Sequence, residues 1–148
     1  MAGASETLTH PILGLLTWES SYRCWYAQHE APGGETLFLQ VEPAGDRYGF
    51  LKRAADLFVW ALANERRVLR EAVAAALLEL YNDAWRQGEP VLSAEELKRE
   101  MDWQGLSIRD GEGVLVEFGY DAGRLFGGHV VIVELDDELR FLDVDLRE

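Results

Sequence analysis

The sequence LKRAADLFVWALANERRVLREAVAAALLELYNDAW, residues 51–85, decides the fold of this chain. Its apolar residues recur every three or four positions, as they do on the buried stripe of an amphipathic helix. They are Leu51, Ala54, Ala55, Phe58, Ala61 and Leu62, followed by Leu69, Ala72, Val73, Ala76, Leu77, Leu80 and Ala84. Polar residues around Asn64 leave two alternatives open, one long bent helix or two helices with a break there. Gly88 and Pro90 stop the helix.

Segments with strand character precede the helix. Leu13–Trp18, Arg23–Gln28 and Thr36–Val41 are rich in β-forming residues, and Glu19–Ser21 reads as a hairpin turn between the first two. We therefore predict a three-stranded antiparallel meander at the N-terminus. Residues 1–9 are small and polar, and we expect them to form a flexible end.

A short helix and four strands are predicted after the long helix. Ser93 and Glu96 have the spacing of a capping box, which starts a helix that ends near Met101. The apolar period then returns to two, and this predicts strands joined by short turns. The strands are Leu106–Asp110, Val114–Phe118, His129–Leu135 and Arg140–Leu146. The predicted fold is a single α+β domain over residues 1–148. An N-terminal antiparallel β-meander is followed by a central long helix plus a short helix, and then by a C-terminal antiparallel β-meander. The long helix is expected to pack on one face of the sheet.

The acidic residues are distributed unevenly along the chain. The formal net charge is -13, and residues 101–148 contain 12 acidic and 4 basic residues, whereas residues 49–100 contain 9 and 8. A field of this sign repels nucleic acid and anionic membranes and attracts basic proteins. We expect a basic protein partner, no nucleic acid and no membrane. The candidate partner-binding residues lie in the last hairpin and are Asp136, Asp137, Glu138, Asp143 and Asp145.

Residue types that bind metals or act as nucleophiles are sparse. His10, His29, His129 and Cys24 are dispersed along the sequence, and a zinc ion needs three or four such ligands at one point. Cys24 lies on a predicted strand, which favours a packed, unreactive thiol. We predict no metal, no cofactor and no catalytic residue. A single cysteine and the absence of a visible signal segment favour a cytoplasmic location.

Three short patterns together resemble a bacterial family of unknown function. They are HPILGLLTW at His10–Trp18, YNDAW at Tyr81–Trp85, and FGGH at Phe126–His129. Members of that uncharacterised family share HPxLGxLxW, YNxxW and FxGH motifs in this order, and the resemblance covers most of the chain. The acidic close at Asp143–Glu148 departs from the glycine-containing close of its relatives. The resemblance supplies no catalytic residues.

The residues of these motifs are expected to form a buried structural cluster rather than an active site. They are Gly14, Trp18, Tyr81, Asn82, Trp85, Phe126, Gly128 and His129. Asn82 is expected to cap the helix end or to hydrogen-bond the adjoining loop. His129 is expected to hydrogen-bond Tyr81 or Asn82 and so to tie the helix to the sheet.

These observations favour a non-enzymatic binding protein, in its most concrete form an immunity or antitoxin protein that neutralises a basic bacterial toxin through an acidic surface. One alternative is a small hydrolase-like enzyme in which His129 acts as general base with Tyr81 and Asp121. Another is a subunit of a homo-oligomer that uses the apolar helix face or an edge strand. Convergence of His129, Tyr81 and Asp121 in an open pocket would favour the enzyme.

Overall fold

Eight strands form one sheet in the computed structural model, which describes residues 6–148. The strands are β1 (Thr7–His10), β2 (Gly14–Glu19), β3 (Cys24–Glu30), β4 (Thr36–Glu42), β5 (Asp102–Arg109), β6 (Val116–Asp121), β7 (Val130–Leu135) and β8 (Phe141–Arg147). They lie in the sheet in chain order. Each neighbouring pair is antiparallel except β4 and β5, which are parallel. A parallel pair requires a long crossover, and residues 43–101 supply it with the helices.

The long helix runs without a break past Asn64. It consists of α1 (Leu51–Ala72), a π-helical turn at Val73–Leu77, the short α2 (Leu78–Leu80) and a second π-helical turn at Tyr81–Trp85. The alternative of one long helix is therefore confirmed. None of the helices in the described part of the chain combines the length and the apolar character that crossing a membrane requires.

The short helix α3 (Ala94–Arg99) begins with the predicted capping box. The Ser93 hydroxyl accepts a hydrogen bond from the Glu96 amide, and the Glu96 carboxylate accepts one from the Ser93 amide. The reciprocal pair satisfies backbone donors that a helix start leaves without partners.

The predicted N- and C-terminal strands are broadly confirmed, and one sheet spans both groups because β4 and β5 pair directly. This pair is parallel, whereas the prediction was of antiparallel strands throughout. Within the expected flexible end, Thr7–His10 pairs with β2 as β1. Residues 1–5 of that expected end lie outside the described residues. The hairpins β2–β3, β5–β6 and β7–β8 are confirmed.

A single hydrophobic core lies between the helices and one face of the sheet. The apolar stripe of α1, including Ala54, Phe58 and Ala61, packs with inward side chains such as Leu39 and Phe118. Each fully buried large side chain of this kind contributes about 1.5–3 kcal/mol relative to leaving it exposed. The core therefore fixes which sheet face the helices cover.

The opposite face, here called the open face, carries the alternate residues of every strand. Three large apolar side chains are exposed on it, Leu15, Tyr26 and Phe38. Within residues 6–148, α1 packs on the other face and α3 packs against the long helix, so no helix covers the open face. In a sheet with one solvent-exposed face, the residues on that face are normally polar. The open face of this sheet also carries exposed apolar side chains and an ion-pair network.

Candidate functional site

Two rows of side chains cross the central strands on the open face. The first row is Phe38, Gly105, Gly119, Ile132 and Asp145, each paired with the next across neighbouring strands. The second row is Tyr26, Gln40, Ser107, Glu117, Glu134 and Asp143. Cross-strand partners share a face and lie close enough to interact, so residues far apart in the sequence form one continuous surface.

The first row contains a depression that we call the glycine trough. Gly105 and Gly119 are direct cross-strand partners, so bare backbone forms the floor between Phe38 and Ile132. The cavity above it has a volume of about 360 Å³. A Cβ atom built on Gly105 would lie 3.7 Å from the nearest atom and one built on Gly119 3.6 Å, and neither residue has a positive φ.

Neither backbone conformation nor packing therefore requires glycine at these two positions. Glycine inside a strand weakens it, and it often marks a place where a ligand or another backbone approaches closely. The trough is consequently a candidate binding feature rather than a requirement of the fold.

A buried carboxylate lies beside the trough. Glu117 is only 3% exposed, and its two oxygens lie 2.7 Å from Arg109 Nη2 and 2.8 Å from Arg147 Nη2. These contacts are ion pairs by distance, although neither oxygen accepts a well-aligned hydrogen bond. The Nε atoms of the two arginines are held by Glu42 and Asp145, at 2.8 and 2.9 Å. Both guanidinium groups are thus engaged with acids of the same surface.

Carboxylates outnumber guanidinium groups on the open face of β4–β8. The seven acids are Glu42, Asp102, Glu117, Asp121, Glu134, Asp143 and Asp145, and the two bases are Arg109 and Arg147. Burial, reinforced by the neighbouring Glu117 carboxylate, raises the pKa of Glu134 above its ordinary value. A carboxyl group that is shielded from water and close to another carboxylate is harder to ionise.

The predicted partner-binding residues divide into two groups. Asp143 and Asp145 belong to the open face, next to Glu134 and Ile132, as their spacing predicts. Asp136, Asp137 and Glu138 form the turn between β7 and β8. The Asp136 carboxylate accepts hydrogen bonds from the Arg140 and Glu138 amides, and these lower its pKa, the Arg140 amide most strongly. Asp136 therefore stabilises the turn itself.

A second group, here called the helix-end cluster, joins two of the three motifs. Trp85 lies edge-on to Phe126 and His129, with ring centroids 6.1 and 5.5 Å apart, and Tyr81 lies 5.8 Å from Phe126. The expected bond from His129 to Tyr81 or Asn82 is wrong, because His129 Nδ1 lies 2.8 Å from the Phe126 carbonyl oxygen. The helix is tied to the sheet by aromatic packing instead.

Asn82 hydrogen-bonds the loop that leaves the helix, and this alternative is confirmed. Its amide nitrogen donates to the Leu92 carbonyl at 3.0 Å, and its amide oxygen accepts from the Leu92 amide at 3.1 Å. These two hydrogen bonds hold the loop between the long helix and α3 against the end of the helix.

Gly128, with φ of +80°, lies at the turn that leads into β7.

The motif residues Gly14 and Trp18 lie elsewhere, so the eight motif residues do not form a single cluster. Gly14 has φ of +80°, and a Cβ atom there would lie 3.2 Å from the His29 ring. The His29 ring in turn lies on Phe58 of α1, 4.6 Å between centroids. Trp18 packs edge-on against Trp25 at 5.1 Å. The residues of the first motif therefore contribute to packing among the first strands of the sheet.

Tyr81 and Asp121 of the enzymatic alternative lie on opposite sides of the sheet. Tyr81 is buried on the helix side of the sheet, whereas Asp121 follows Gly119 at the alternating positions of the open face. The Asp121 carboxylate accepts hydrogen bonds from the Gly123 amide and the Gln104 side chain. Cys24 is also unsuited to nucleophilic attack, because burial raises the pKa of its thiol.

A half-buried carboxyl that the sequence pattern does not reveal, Glu65, lies on α1 where the helix meets the sheet. The Tyr120 hydroxyl donates a hydrogen bond to Glu65 at 3.0 Å, and burial raises the pKa of both groups. A cleft of about 430 Å³ opens beside Glu65. The polar residues near Asn64 were the available signal, and they mark this helix-to-sheet contact rather than a helix break.

Comparison with known proteins assigns the chain to a family but supplies no chemistry. No curated protein and no solved structure matches the sequence. The family described as an uncharacterized protein conserved in bacteria, DUF2262, matches residues 10–146. This chain is therefore a member of the bacterial DUF2262 family.

Proposed function

We propose that this protein is a non-enzymatic binding protein whose open face docks a basic protein partner, as an immunity or antitoxin protein does with its toxin. The proposal rests mainly on the excess of acids on an uncovered sheet face, where β4–β8 carry seven carboxylates and two engaged arginines. Electrostatic complementarity of this kind speeds association and excludes partners of the wrong charge.

The shape of the face supports the same function. Exposed Phe38 and Tyr26 lie beside the acids, and aromatic residues surrounded by polar groups are typical energetic centres of protein interfaces. The separation of Tyr81 from Asp121 by the sheet also removes support from the proposed hydrolase site. A cytoplasmic location is part of this proposal, since an antitoxin must meet its toxin before the toxin acts in the cell.

Co-expression with the product of the adjacent gene tests the proposal. We expect that product to be toxic alone and harmless together with this protein. Asp143→Asn on the open face should weaken protection, since it removes a charge without removing an ion pair. Asp56→Asn, which changes an exposed acid of α1 by the same amount, is the matched control and should protect fully. Equal loss with both variants, or a neighbour that is never toxic, would contradict the proposal.

A further inference from the structure

We propose that the glycine trough is the anchor site for an arginine side chain of the basic partner. This inference rests on the proposed function and specifies which group of the partner the open face recognises. It concerns the cavity between Phe38 and Ile132, above Gly105 and Gly119.

The dimensions and walls of the trough fit a single long side chain. Its volume of about 360 Å³ is at the small end of ligand cavities. Ile132 offers an apolar wall for the methylene groups, while Phe38 and Tyr26 offer aromatic faces. An arginine side chain combines an apolar stem with a planar cation that stacks on aromatic rings.

The polar lining also selects a cation. Gln40 and Ser107 lie along the trough and carry oxygen acceptors, and an arginine guanidinium carries donors only. The charged groups that line the trough are Arg109, Glu117 and Arg147, and both arginines are engaged by carboxylates of the same surface. An incoming guanidinium would therefore find oxygen acceptors in the trough and the excess negative charge of the surrounding open face.

The two resident arginines do not make the trough an anion site. Arg109 is shared between Glu42 and Glu117, and Arg147 between Asp145 and Glu117. An anion would have to displace these carboxylates and would meet the remaining acids of the face. A second copy of this chain is disfavoured for the same reason, because two faces of like charge would be brought together.

The glycines provide the most specific evidence. Alanine would fit at Gly105 and Gly119 with ordinary van der Waals contacts, so the fold tolerates a methyl group at either position. That methyl group would occupy space at the floor of the trough. Because alanine is more favourable than glycine inside a strand by about 0.5–1 kcal/mol, the substitution should not reduce stability. Filling the trough and unfolding the protein are thus separable by experiment.

The test is the binding of a fluorescein-labelled peptide of alternating glycine and arginine, followed by fluorescence anisotropy. Peptides with lysine or citrulline in place of arginine are the comparison probes. We expect the arginine peptide to bind the wild-type protein most tightly. Gly119→Ala and Gly105→Ala should each weaken its binding at least about tenfold, equivalent to about 1.4 kcal/mol, with an unchanged or higher melting temperature.

Charge variants separate failure of this inference from failure of the proposed function. If Asp143→Asn weakens binding and the two alanine variants bind as the wild type does, the trough is not the anchor although the acidic face still binds. Equal binding of the lysine and arginine peptides would also overturn the arginine site. If Asp143→Asn and the control Asp56→Asn bind alike, the open face itself is not the binding surface.

Discussion

The helix-end cluster and the open face differ in what holds them together. The helix-end cluster is an aromatic group in which Trp85, Phe126 and His129 contact one another with few polar bonds. The open face is held by ion pairs around Glu117 and leaves a cavity over its glycines. The first arrangement stabilises a junction between helix and sheet, and the second presents charge and space to a partner.

This difference shows that a sequence motif and a functional surface need not coincide. The YNDAW and FGGH segments supply the helix-end cluster, where shape and burial restrict the residues that fit. The open face draws single residues from many strands, so no short segment of the sequence contains it. The strongest motifs therefore describe the scaffold, and the charge pattern describes the candidate site.

Truncation of an aromatic ring gives the largest expected contrast between the two regions. Phe126→Ala should lower the free energy of unfolding by about 3–5 kcal/mol, because it empties a fully buried site. Phe38→Ala removes the same ring from the open face, where the side chain is half exposed, and should cost much less stability while weakening peptide binding. Urea denaturation and peptide anisotropy measure the two effects. Similar losses of stability would contradict the distinction.

Removal of a buried charge partner should have the next largest effect. Arg147→Met leaves Glu117 with Arg109 alone, so we expect less than the roughly 3–5 kcal/mol that loss of a sole partner costs. Arg140→Met is the control, since Arg140 is exposed and pairs with Asp136 and Glu138 in the turn, and it should cost less than about 1 kcal/mol. Chemical denaturation of both variants decides the point. An equal cost would mean that the network around Glu117 adds no stability.

The loop bond of the helix-end region is expected to contribute less. Asn82→Ala leaves the Leu92 amide and carbonyl without their partners, which should cost about 1–3 kcal/mol by thermal or chemical unfolding. Asn64→Ala is a matched change on the same helix, where the side chain only donates to the Trp60 carbonyl. Alanine is the better helix former, so this control should be neutral or stabilising. A destabilising Asn64→Ala together with a neutral Asn82→Ala would reverse the expected order.

The smallest expected effect is on the pH dependence of stability. Replacing Glu134 and replacing Glu96 should change the stability at neutral pH in opposite directions. Glu134 on the open face has a pKa raised above its ordinary 4.5 by burial, so its ionised form opposes folding at neutral pH. Glu134→Gln should therefore be more stable than the wild type at neutral pH. This advantage should fade as the pH falls from the raised pKa to 4.5 and vanish below 4.5, where the wild-type carboxyl is protonated in both states.

Glu96 provides the control of opposite sign. The Ser93 amide lowers the pKa of Glu96, so its ionised form stabilises the protein above the ordinary pKa. Glu96→Gln should be less stable than the wild type at neutral pH, and the deficit should disappear as the pH falls through the lowered pKa. Melting temperatures recorded across this pH range give both differences. Parallel pH profiles for the two variants would contradict the assigned environments.

Periodicity predicted most elements of the fold because local spacing is enough to recognise them. The apolar stripe of residues 51–85 predicted a helical segment and left a break near Asn64 open, and Ser93 with Glu96 predicted the start of α3. The parallel pairing of β4 with β5 could not be predicted, since it depends on how the helix crosses the sheet and leaves no local pattern. The strand β1 escaped prediction because its short polar sequence forms a strand only through pairing with β2.

The candidate site was predictable only in part for a related reason. Alternation placed Asp143 and Asp145 on one face of a strand, and the structure puts them on the open face. The burial of Glu117 by arginines from β5 and β8 depends on contacts across the sheet. The pairing of Gly105 with Gly119 likewise follows from register, which the sequence does not state.

Nuclear magnetic resonance mapping of a basic peptide on the protein shows whether the open face is the binding surface. The ¹⁵N-labelled protein is titrated with the peptide of alternating glycine and arginine, and amide shifts are followed residue by residue. Binding at the open face predicts saturable shifts at Gly105, Gly119 and Ile132, with the amides of Trp85 and His129 unchanged. Shifts confined to Trp85 and His129, or no saturable shift on β4–β8, would contradict it.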